Sequence, residues 1–275
     1  MNFSKTQIDK LGDRLKGGLH TESDLRLLDE YRLSFGEASE SVVRTIRRLG
    51  EWPTARTAKT RDSIVNKLRR ESLRLSQMQD IAGCRVIVAN VVHQERFVAS
   101  LRTVFPGATV IDRRDKPSHG YRAVHIIAEI SGKPVEIQVR TELQHRWAEI
   151  SEKLSDVVDS AIKYGGGPDE LRTVLANASQ LVAAYEKKKT ESLNDEAAYE
   201  KLLANYKNFT AEQLDTSLSD HEAQAIQDKL ECMRDEIEAT KKDIIESKVA
   251  LAVEWNEIWN ELRGFMGELN EGLFD

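Results

Sequence analysis

Residues 121–141 read YRAVHIIAEISGKPVEIQVRT and set the architecture of the first half of the chain. Two β-patterned segments, Tyr121–Ile130 and Lys133–Arg140, are joined across Ser131-Gly132, and a connection of this kind predicts a tight hairpin. Apolar and polar residues alternate along the second segment, so the two kinds of side chain face opposite sides of the strand. The apolar face carries Val135, Ile137 and Val139, and the polar face carries Glu136, Gln138 and Arg140.

The partner strand has two faces as well. Tyr121, Ala123 and His125 share one face, and Val124 and Ile126 share the other. The simplest pairing of the hairpin brings both polar sets together. Alternation alone is equally typical of an antiparallel sheet with one solvated face. Because this polar face is rich in groups that bind nucleotides, it is the first candidate for a site.

The segments around the hairpin predict an α/β domain. Gly83–Val92 is a short run rich in β-branched residues and predicts a buried strand. Thr109–Ile111 predicts a short strand, and RRDKPSHG at 113–120 predicts a polar loop. Helical spacing is found at 4–49 with a break near Gly17-Gly18, at Asp62–Arg74, at Gln94–Phe105 and at Glu142–Tyr164.

The segment Gly165-Gly166-Gly167-Pro168 predicts a boundary between a domain at 1–164 and a helical region at 165–275. In that region we expect helices on either side of a loop at Asn208–Asp220. The last helix carries a stripe at steps of four and three with one stutter, which predicts a hairpin, a bundle or a coiled coil. The stripe consists of Ile226, Leu230, Met233, Ile237, Thr240, Ile244, Ser247, Leu251, Trp255, Ile258, Leu262, Phe265 and Leu269, with Trp259 beside Trp255 as a second packing anchor.

The two halves differ in charge. The whole chain has a net charge of -6, with +6 in residues 1–164 and -12 in residues 165–275. The first half therefore suits polyanions, and the second does not. The acidic half is either a solvated helical surface or an acidic cover for a basic site. Its stripe is also compatible with homo-oligomerisation through the C-terminal helices.

Several classes of protein are disfavoured. No run of 18 or more apolar residues predicts a membrane span, and the start MNFSKTQIDKLGDRL has no apolar stretch typical of a signal peptide. Cys84 and Cys232 form neither a CxxC pair nor a disulfide framework, so we expect a cytoplasmic protein. The sequence contains no Walker-type phosphate loop, no GxGxxG, no HExxH and no GxSxG, and its histidines show no zinc-ligand spacing.

Three groups of residues instead predict a site for a nucleotide polyphosphate. Asp80 and Glu136 offer two carboxylates for a hard divalent cation such as Mg2+. Tyr121 offers a flat ring on which a base could stack. The donors for phosphate oxygens are Arg56, Lys59, Ser63, Lys67, Arg69 and Arg70.

Four strings in this order resemble the synthetase domain of RelA/SpoT-type alarmone synthetases. They are KTRDSIVNK at 59–67, DIAGCR at 80–85, GYRAVH at 120–125 and EIQVRT at 136–141, and the resemblance covers residues 40–160. It implies a mixed β-sheet flanked by helices. It also implies transfer of pyrophosphate from ATP to the 3′-hydroxyl of GDP or GTP, which yields guanosine tetra- or pentaphosphate and AMP.

The resemblance further implies a role for each matching residue. Lys59, Ser63 and Lys67 would bind the ATP phosphates, Arg85 would stack on the adenine, and Arg56 would be a further ATP-binding residue. Asp80 and Glu136 would hold Mg2+, and Glu136 would also accept the proton of the attacking hydroxyl. On the acceptor side, Tyr121 would stack on the base, and His125, Gln138 and Arg140 would line the acceptor and phosphate region.

The sequence departs from the family pattern at three places. Thr57 stands where the family usually has an arginine, with Arg56 one position earlier. In the acceptor loop, Lys116-Pro117-Ser118-His119 replaces the pattern P-K-x-N, so acceptor choice could differ. The His-Asp dipeptide of the long bifunctional relatives is missing, and we therefore expect no degradation of the product.

Two other functions compete with guanosine alarmone synthesis. A toxic relative would place pyrophosphate on the 3′-CCA end of tRNA or on adenosine nucleotides. Its acidic tail would act as a built-in inhibitor or sensor. An antitoxin or regulatory protein would be a further partner. A basic domain suits tRNA and ATP equally well. The other competitor is a catalytically silent scaffold that binds nucleotide and signals through its helices.

Overall fold

The computed structural model describes residues 3–56, 58–213 and 219–271. The chain divides into two compact units, Met1–Ala176 and Asn177–Asp275. The division falls within the helix that follows the Gly165–Pro168 segment, so the first turns of that helix belong to the first unit.

The first unit has a five-stranded sheet with helices on both sides. Its helices are α1 (Lys5–Gly17), α2 (Glu22–Leu33), α3 (Gly36–Arg48), α4 (Arg61–Arg70), α5 (Val91–Val104) and α6 (Glu142–Val157), and short 3-10 turns lie at Leu75–Gln77 and Ile162–Tyr164. Its strands are β1 (Thr54–Arg56), β2 (Ala82–Val88), β3 (Thr109–Asp112), β4 (Val124–Ile130) and β5 (Lys133–Thr141). Two long helices follow, α7 (Asp169–Gln213) and α8 (Asp220–Glu271).

The sheet is mixed, with the strand order β1-β2-β5-β4-β3. β2 and β5 are parallel, and the other neighbouring strands are antiparallel. The hairpin between β4 and β5 forms as predicted, with Ile130 paired to Lys133. Ser131 and Gly132 have φ angles of 52° and 74°, the left-handed conformation that a type I′ turn requires at both central residues.

Two hydrophobic clusters hold this unit together. The first covers the apolar face of the sheet, where Val135, Ile137 and Val139 of β5 are fully buried beneath residues of α3 and α5. The second packs α1, α2 and α4 around Leu11, Leu28 and Ile64. Packing of this kind fixes the sheet and α4 in place, and these elements carry most of the predicted site residues.

Several predicted element boundaries are wrong. Asn90 accepts a hydrogen bond from the backbone of His93 at 2.8 Å and caps α5, so the predicted strand at 83–92 ends at Val88. The helical stretch at 4–49 has a second break, between Leu33 and Gly36. The short edge strand β1 lies in a segment for which no element was predicted, and α4 ends at Arg70.

The second unit is a pair of packed helices. Tyr185 and Trp255 contact each other with ring centroids 5.5 Å apart, and Lys188 lies 2.8 Å from Glu254. Between residues 221 and 253 of α8, every position that is not exposed belongs to the predicted stripe. From Ile226 to Trp255 the partner of the stripe is therefore α7 of the same chain, and the side chains of Ile258, Leu262, Phe265 and Leu269 lie outside the described residues. The predicted loop at Asn208–Asp220 begins too early because α7 continues to Gln213, and the side chain of Trp259 lies outside the described residues.

None of the helices in the described part of the chain combines the length and the apolar composition that crossing a bilayer requires.

Candidate active site

The polar face of the hairpin is a buried hydrogen-bonded network rather than a solvated surface. His125 on β4 pairs with Gln138 on β5, and Gln138 pairs with Arg85 on β2, so three strands bring polar side chains into one row. Glu136, Gln138 and Arg140 are 8%, 6% and 3% exposed. Buried polar groups are costly unless they are paired, which explains why these side chains bond to one another.

Glu136 is the centre of this network. Its Oε1 lies 2.8 Å from His125 Nδ1, and its Oε2 accepts a hydrogen bond of 2.8 Å from Gln138 Nε2. Arg56 Nη1 lies 3.4 Å from the same oxygen. Burial raises the pKa of Glu136, but the hydrogen bond and charge of His125 outweigh it, so the pKa lies below its usual value. Glu136 is therefore a carboxylate at neutral pH.

Tyr121 extends the network towards the acceptor loop. Arg140 Nη2 donates to the Tyr121 hydroxyl at 2.9 Å, and that hydroxyl lies 2.8 Å from His125 Nε2. The two ring nitrogens of His125 thus contact the Tyr121 hydroxyl and the Glu136 carboxylate, and these contacts fix the orientation of the imidazole. The Tyr121 ring is only partly exposed, because it lies edge-on to His125 and beneath Arg140. Burial raises the pKa of Tyr121.

Asp80 lies between two lysines. Lys59 Nζ lies 2.6 Å from its Oδ2, and Lys67 Nζ lies 3.0 Å from its Oδ1. Burial raises the pKa of Asp80, but the charge and hydrogen bond of Lys59, followed by those of Lys67, leave the pKa below the ordinary value. Lys59 from a loop and Lys67 from α4 thus contact the same carboxylate.

A cavity of about 630 Å³ opens beside these residues. Arg56, Lys59, Ser63 and Arg85, all predicted to bind ATP, line it. The other lining residues are Ala55, Ala58, Thr60, Arg70, Glu152, Asp156, Lys163 and Tyr164. The cavity is large enough for a nucleotide, and its walls carry an excess of cationic side chains.

The N-terminal turn of α4 borders this cavity through Thr60 and Ser63. Thr60 caps the helix by accepting a hydrogen bond of 3.2 Å from the Ser63 amide, and its hydroxyl donates to Ser63 Oγ at 2.8 Å. Free amides and the helix dipole at such a terminus favour a phosphate group. Arg32 of α2 fixes the loop that leads into α4, since its Nε donates to the Lys59 carbonyl at 2.7 Å.

The sequence did not single out several residues of this region. Tyr164 lines the cavity with its ring 3.6 Å from the Arg70 guanidinium, and Glu152 and Asp156 of α6 face the cationic wall. The only feature of the sequence that could have drawn attention to Tyr164 is its position directly before the glycine-rich segment. Glu152 and Asp156 lie in none of the motifs described above. Arg69, in contrast, does not line the cavity, and its Nε donates to the Lys16 carbonyl.

The carboxylates fit a magnesium ion. Asp80 lies two residues before β2, whose Gly83 pairs with Glu136, and the charge of Asp80 raises the pKa of Glu136. Among the described residues there is no group of three or more His, Cys, Asp and Glu side chains able to hold a metal. Mg2+ commonly takes one or two protein carboxylates and completes its shell with substrate phosphates and water, so this donor set is sufficient.

Comparison with known proteins identifies relatives of this chain. The model of the family described as "Region found in RelA / SpoT proteins" matches residues 56–155. An uncharacterized protein of Mycobacterium bovis is 30% identical over 208 residues, which cover 72% of this chain and 76% of that protein. An uncharacterized protein of Mycobacterium tuberculosis matches with the same values.

Similar solved structures include the small alarmone synthetase 1 from Bacillus subtilis, at 27% identity and a TM-score of 0.46, with coverage of 62% of this chain and 96% of that chain. That protein has also been solved bound to its product pppGpp. A protein from Streptococcus mutans is similar at 28% identity and a TM-score of 0.45, with coverage of 60% of this chain and 93% of that chain.

Proposed function

Because this chain belongs to the RelA/SpoT family, we propose that it is an ATP-dependent pyrophosphokinase acting on the 3′-hydroxyl of GDP or GTP. The acceptor oxygen bonds to the β-phosphorus of ATP, the bond between that phosphorus and the oxygen bridging to the α-phosphate breaks, and AMP leaves. The observation that carries the proposal is a cation-lined cavity whose Lys59 and Arg56 contact the Asp80 and Glu136 carboxylates.

The cavity serves ATP in this proposal. Lys59, Lys67 and the N-terminus of α4 at Ser63 bind the phosphates, and Arg56 and Arg85 contact the adenine. Before ATP binds, Lys59 and Lys67 are held by Asp80, so they are positioned in advance. Prepositioned cations suit this reaction, since pyrophosphate transfer depends on alignment and charge neutralisation rather than on a covalent enzyme intermediate.

Glu136 accepts the proton of the attacking hydroxyl. Its lowered pKa keeps it ionised at neutral pH, and His125 and Gln138 hold its two oxygens in place. A carboxylate within reach of the hydroxyl supplies general-base catalysis. Tyr121 stacks on the acceptor base, and Arg140 and Gln138 support the ring and the network behind it.

Asp80 and Glu136 would hold Mg2+. The ion would neutralise charge on the transferred phosphates when bound. We also propose a cytoplasmic location, where ATP and guanosine nucleotides are available.

The test is transfer of label from ATP labelled at the γ-phosphate, with GDP, GTP, ADP and bulk tRNA offered separately and the products separated by thin-layer chromatography. We expect label on GDP or GTP with the native chain. Glu136→Gln keeps the shape of the side chain but removes the base, so it should lower transfer at least about 100-fold.

The other outcomes assign the competing functions. Label on tRNA or ADP would replace the guanosine acceptor and indicate a toxic synthetase. If the native chain transfers label to no acceptor and Glu136→Gln binds ATP as the native chain does, the proposed enzymatic activity is contradicted. That result would indicate a nucleotide-binding scaffold.

A further inference from the structure

The loop before β4 ends in a sharp turn that carries Tyr121. His119 and Gly120 have φ angles of 54° and 86°, so two consecutive residues adopt the left-handed conformation. The Tyr121 amide donates to the Ser118 carbonyl at 3.0 Å and closes the turn. Because these hydrogen-bonded residues directly precede the ring, the position of the Tyr121 ring depends on whatever holds the turn.

One support of the turn is Trp147 of α6. A Cβ added at Gly120 would lie 2.6 Å from Trp147 Cζ2 and 3.3 Å from the Leu175 carbonyl oxygen. Trp147 is 4% exposed, and its Nε1 donates to that same carbonyl at 3.0 Å. An indole N–H is a donor that usually needs a partner when buried. Here the partner is the backbone of α7, within the first compact unit.

The other support is Gly165, in the glycine-rich segment before α7. Gly165 has a φ of 82°, and a Cβ there would overlap the His119 imidazole. The turn is therefore held on both sides. Trp147 and Leu175 contact Gly120, and Gly165 contacts His119.

We infer that Trp147, Gly165 and the first turns of α7 are positioning elements of the acceptor site, and this inference rests on the proposed role of Tyr121. They hold the turn at 118–121 and thereby orient the ring on which the acceptor base stacks. None of these residues lines the ATP cavity. The segment after Pro168, which the charge pattern assigned to a separate helical region, thus supplies part of the support for acceptor binding.

Trp147→Phe tests the inference in the full-length protein. The variant keeps an aromatic ring but removes the donor to Leu175, a hydrogen bond whose typical net value corresponds to about a fivefold change in an equilibrium. We expect hydrogen exchange at the Tyr121 amide to accelerate about fivefold, and KM for the acceptor to rise by a similar factor. KM for ATP should stay within about twofold, because the cavity is untouched.

Trp52→Phe is the matched control, since Trp52 is 83% exposed and the same substitution there should change none of these quantities. Gly165→Ala is the second variant, and it should accelerate exchange in the turn by displacing His119. Exchange at Tyr121 that stays native in both variants would overturn the inference.

The readouts separate this inference from the proposed function. Faster hydrogen exchange in the turn together with equal increases in the KM for ATP and the KM for the acceptor would show that Trp147 and Gly165 do not act on acceptor binding alone, and would overturn the inference. Hydrogen exchange needs no turnover, so faster exchange in a protein whose native form transfers label to no acceptor would support the positioning of the turn while the proposed function fails.

Discussion

Gly83 on β2 lies directly opposite Glu136 on β5, and a Cβ at Gly83 would come within 2.5 Å of the Glu136 carbonyl oxygen. Arg56 on β1 pairs with Gly83 from the other side. Since Gly83 has no side chain, Arg56 reaches across β2, and its Nη1 lies 3.4 Å from Glu136 Oε2. The glycine of the DIAGCR string thus allows Arg56 and Glu136 to come close to each other across β2.

Gly83→Ala should displace β5 from β2 and shift Glu136. Forcing one methyl group into a packed sheet typically costs about 1–3 kcal/mol of stability. A displacement of about 1 Å at a reacting group can lower the rate roughly 100-fold. Urea unfolding and the labelled-ATP transfer assay measure the two effects.

Gly36→Ala is the control for this substitution, because a Cβ at Gly36 meets nothing within 4 Å. It should leave both stability and transfer close to native. Native transfer by Gly83→Ala would contradict the proposed importance of this close approach.

Tyr164→Ala should raise KM for ATP about tenfold, the loss expected when an aromatic surface for a base is removed. Tyr164 lines the cavity, and its ring lies 3.6 Å from the Arg70 guanidinium. Tyr164→Phe keeps the ring and should bind ATP nearly as well as the native chain. Steady-state kinetics with ATP varied at saturating acceptor would show the effect, and an unchanged KM in Tyr164→Ala would remove the ring from the ATP site.

The two thiols should differ sharply in reactivity. Cys84 is fully buried in β2, and burial, followed by the charge of Glu136, raises its pKa to about 12. Cys232 is exposed. The thiolate is the reactive species, so Ellman's reagent should modify one thiol in the native protein and both in denaturant. Cys232→Ser should remove the native reaction, and persistent labelling of that variant would place Cys84 outside the core.

Asp29 should make stability depend on pH. Its carboxylate accepts hydrogen bonds from Arg61 and Arg32, and these lower its pKa from 3.8 to about 2, with Arg61 the largest cause. A carboxyl with a lowered folded pKa stabilises the fold fully above its unfolded pKa and ceases to do so as pH falls through the folded value. Stabilisation by Asp29 should therefore fade between about pH 4 and pH 2.

Urea midpoints of the native chain and Asp29→Asn measure this effect. The variant should be less stable at pH 7 by ~1 kcal/mol or less, as for other partly exposed ion pairs. The difference should shrink as pH falls towards 2. A difference that is the same at pH 7 and pH 2.5 would contradict the prediction.

The hairpin could be predicted from sequence because its signals are local. Strict alternation in β5 and the Ser131-Gly132 turn determine the faces and the register together. β1 could not be predicted, because three exposed residues carry no periodicity and the strand exists only through pairing with β2. The end of β2 was misjudged since Val91 and Val92 continue its apolar run, while the capping bond from His93 to Asn90 starts a helix.

The site was predictable to the extent that its residues lie in contiguous motifs. Lys59, Asp80 and Glu136 come from three strings, and the structure brings them to one region. Alternation could not show that the polar face is buried, because its side chains are covered through contacts with one another and with residues of other strands. Trp147, Leu175 and Gly165 were missed for the same reason, since their contacts with the acceptor turn join segments far apart in sequence.

The strand order affects how the acceptor preference of such a chain could change during evolution. The groups assigned to ATP lie on β1, β2 and α4, whereas the loop assigned to the acceptor enters from β3 and β4, with the Glu136 strand between them. Substitutions in that loop leave the ATP half of the sheet intact. New acceptor preferences can therefore arise when the loop between β3 and β4 and the residues that contact it diverge. The residues assigned to ATP binding and pyrophosphate transfer can stay unchanged meanwhile.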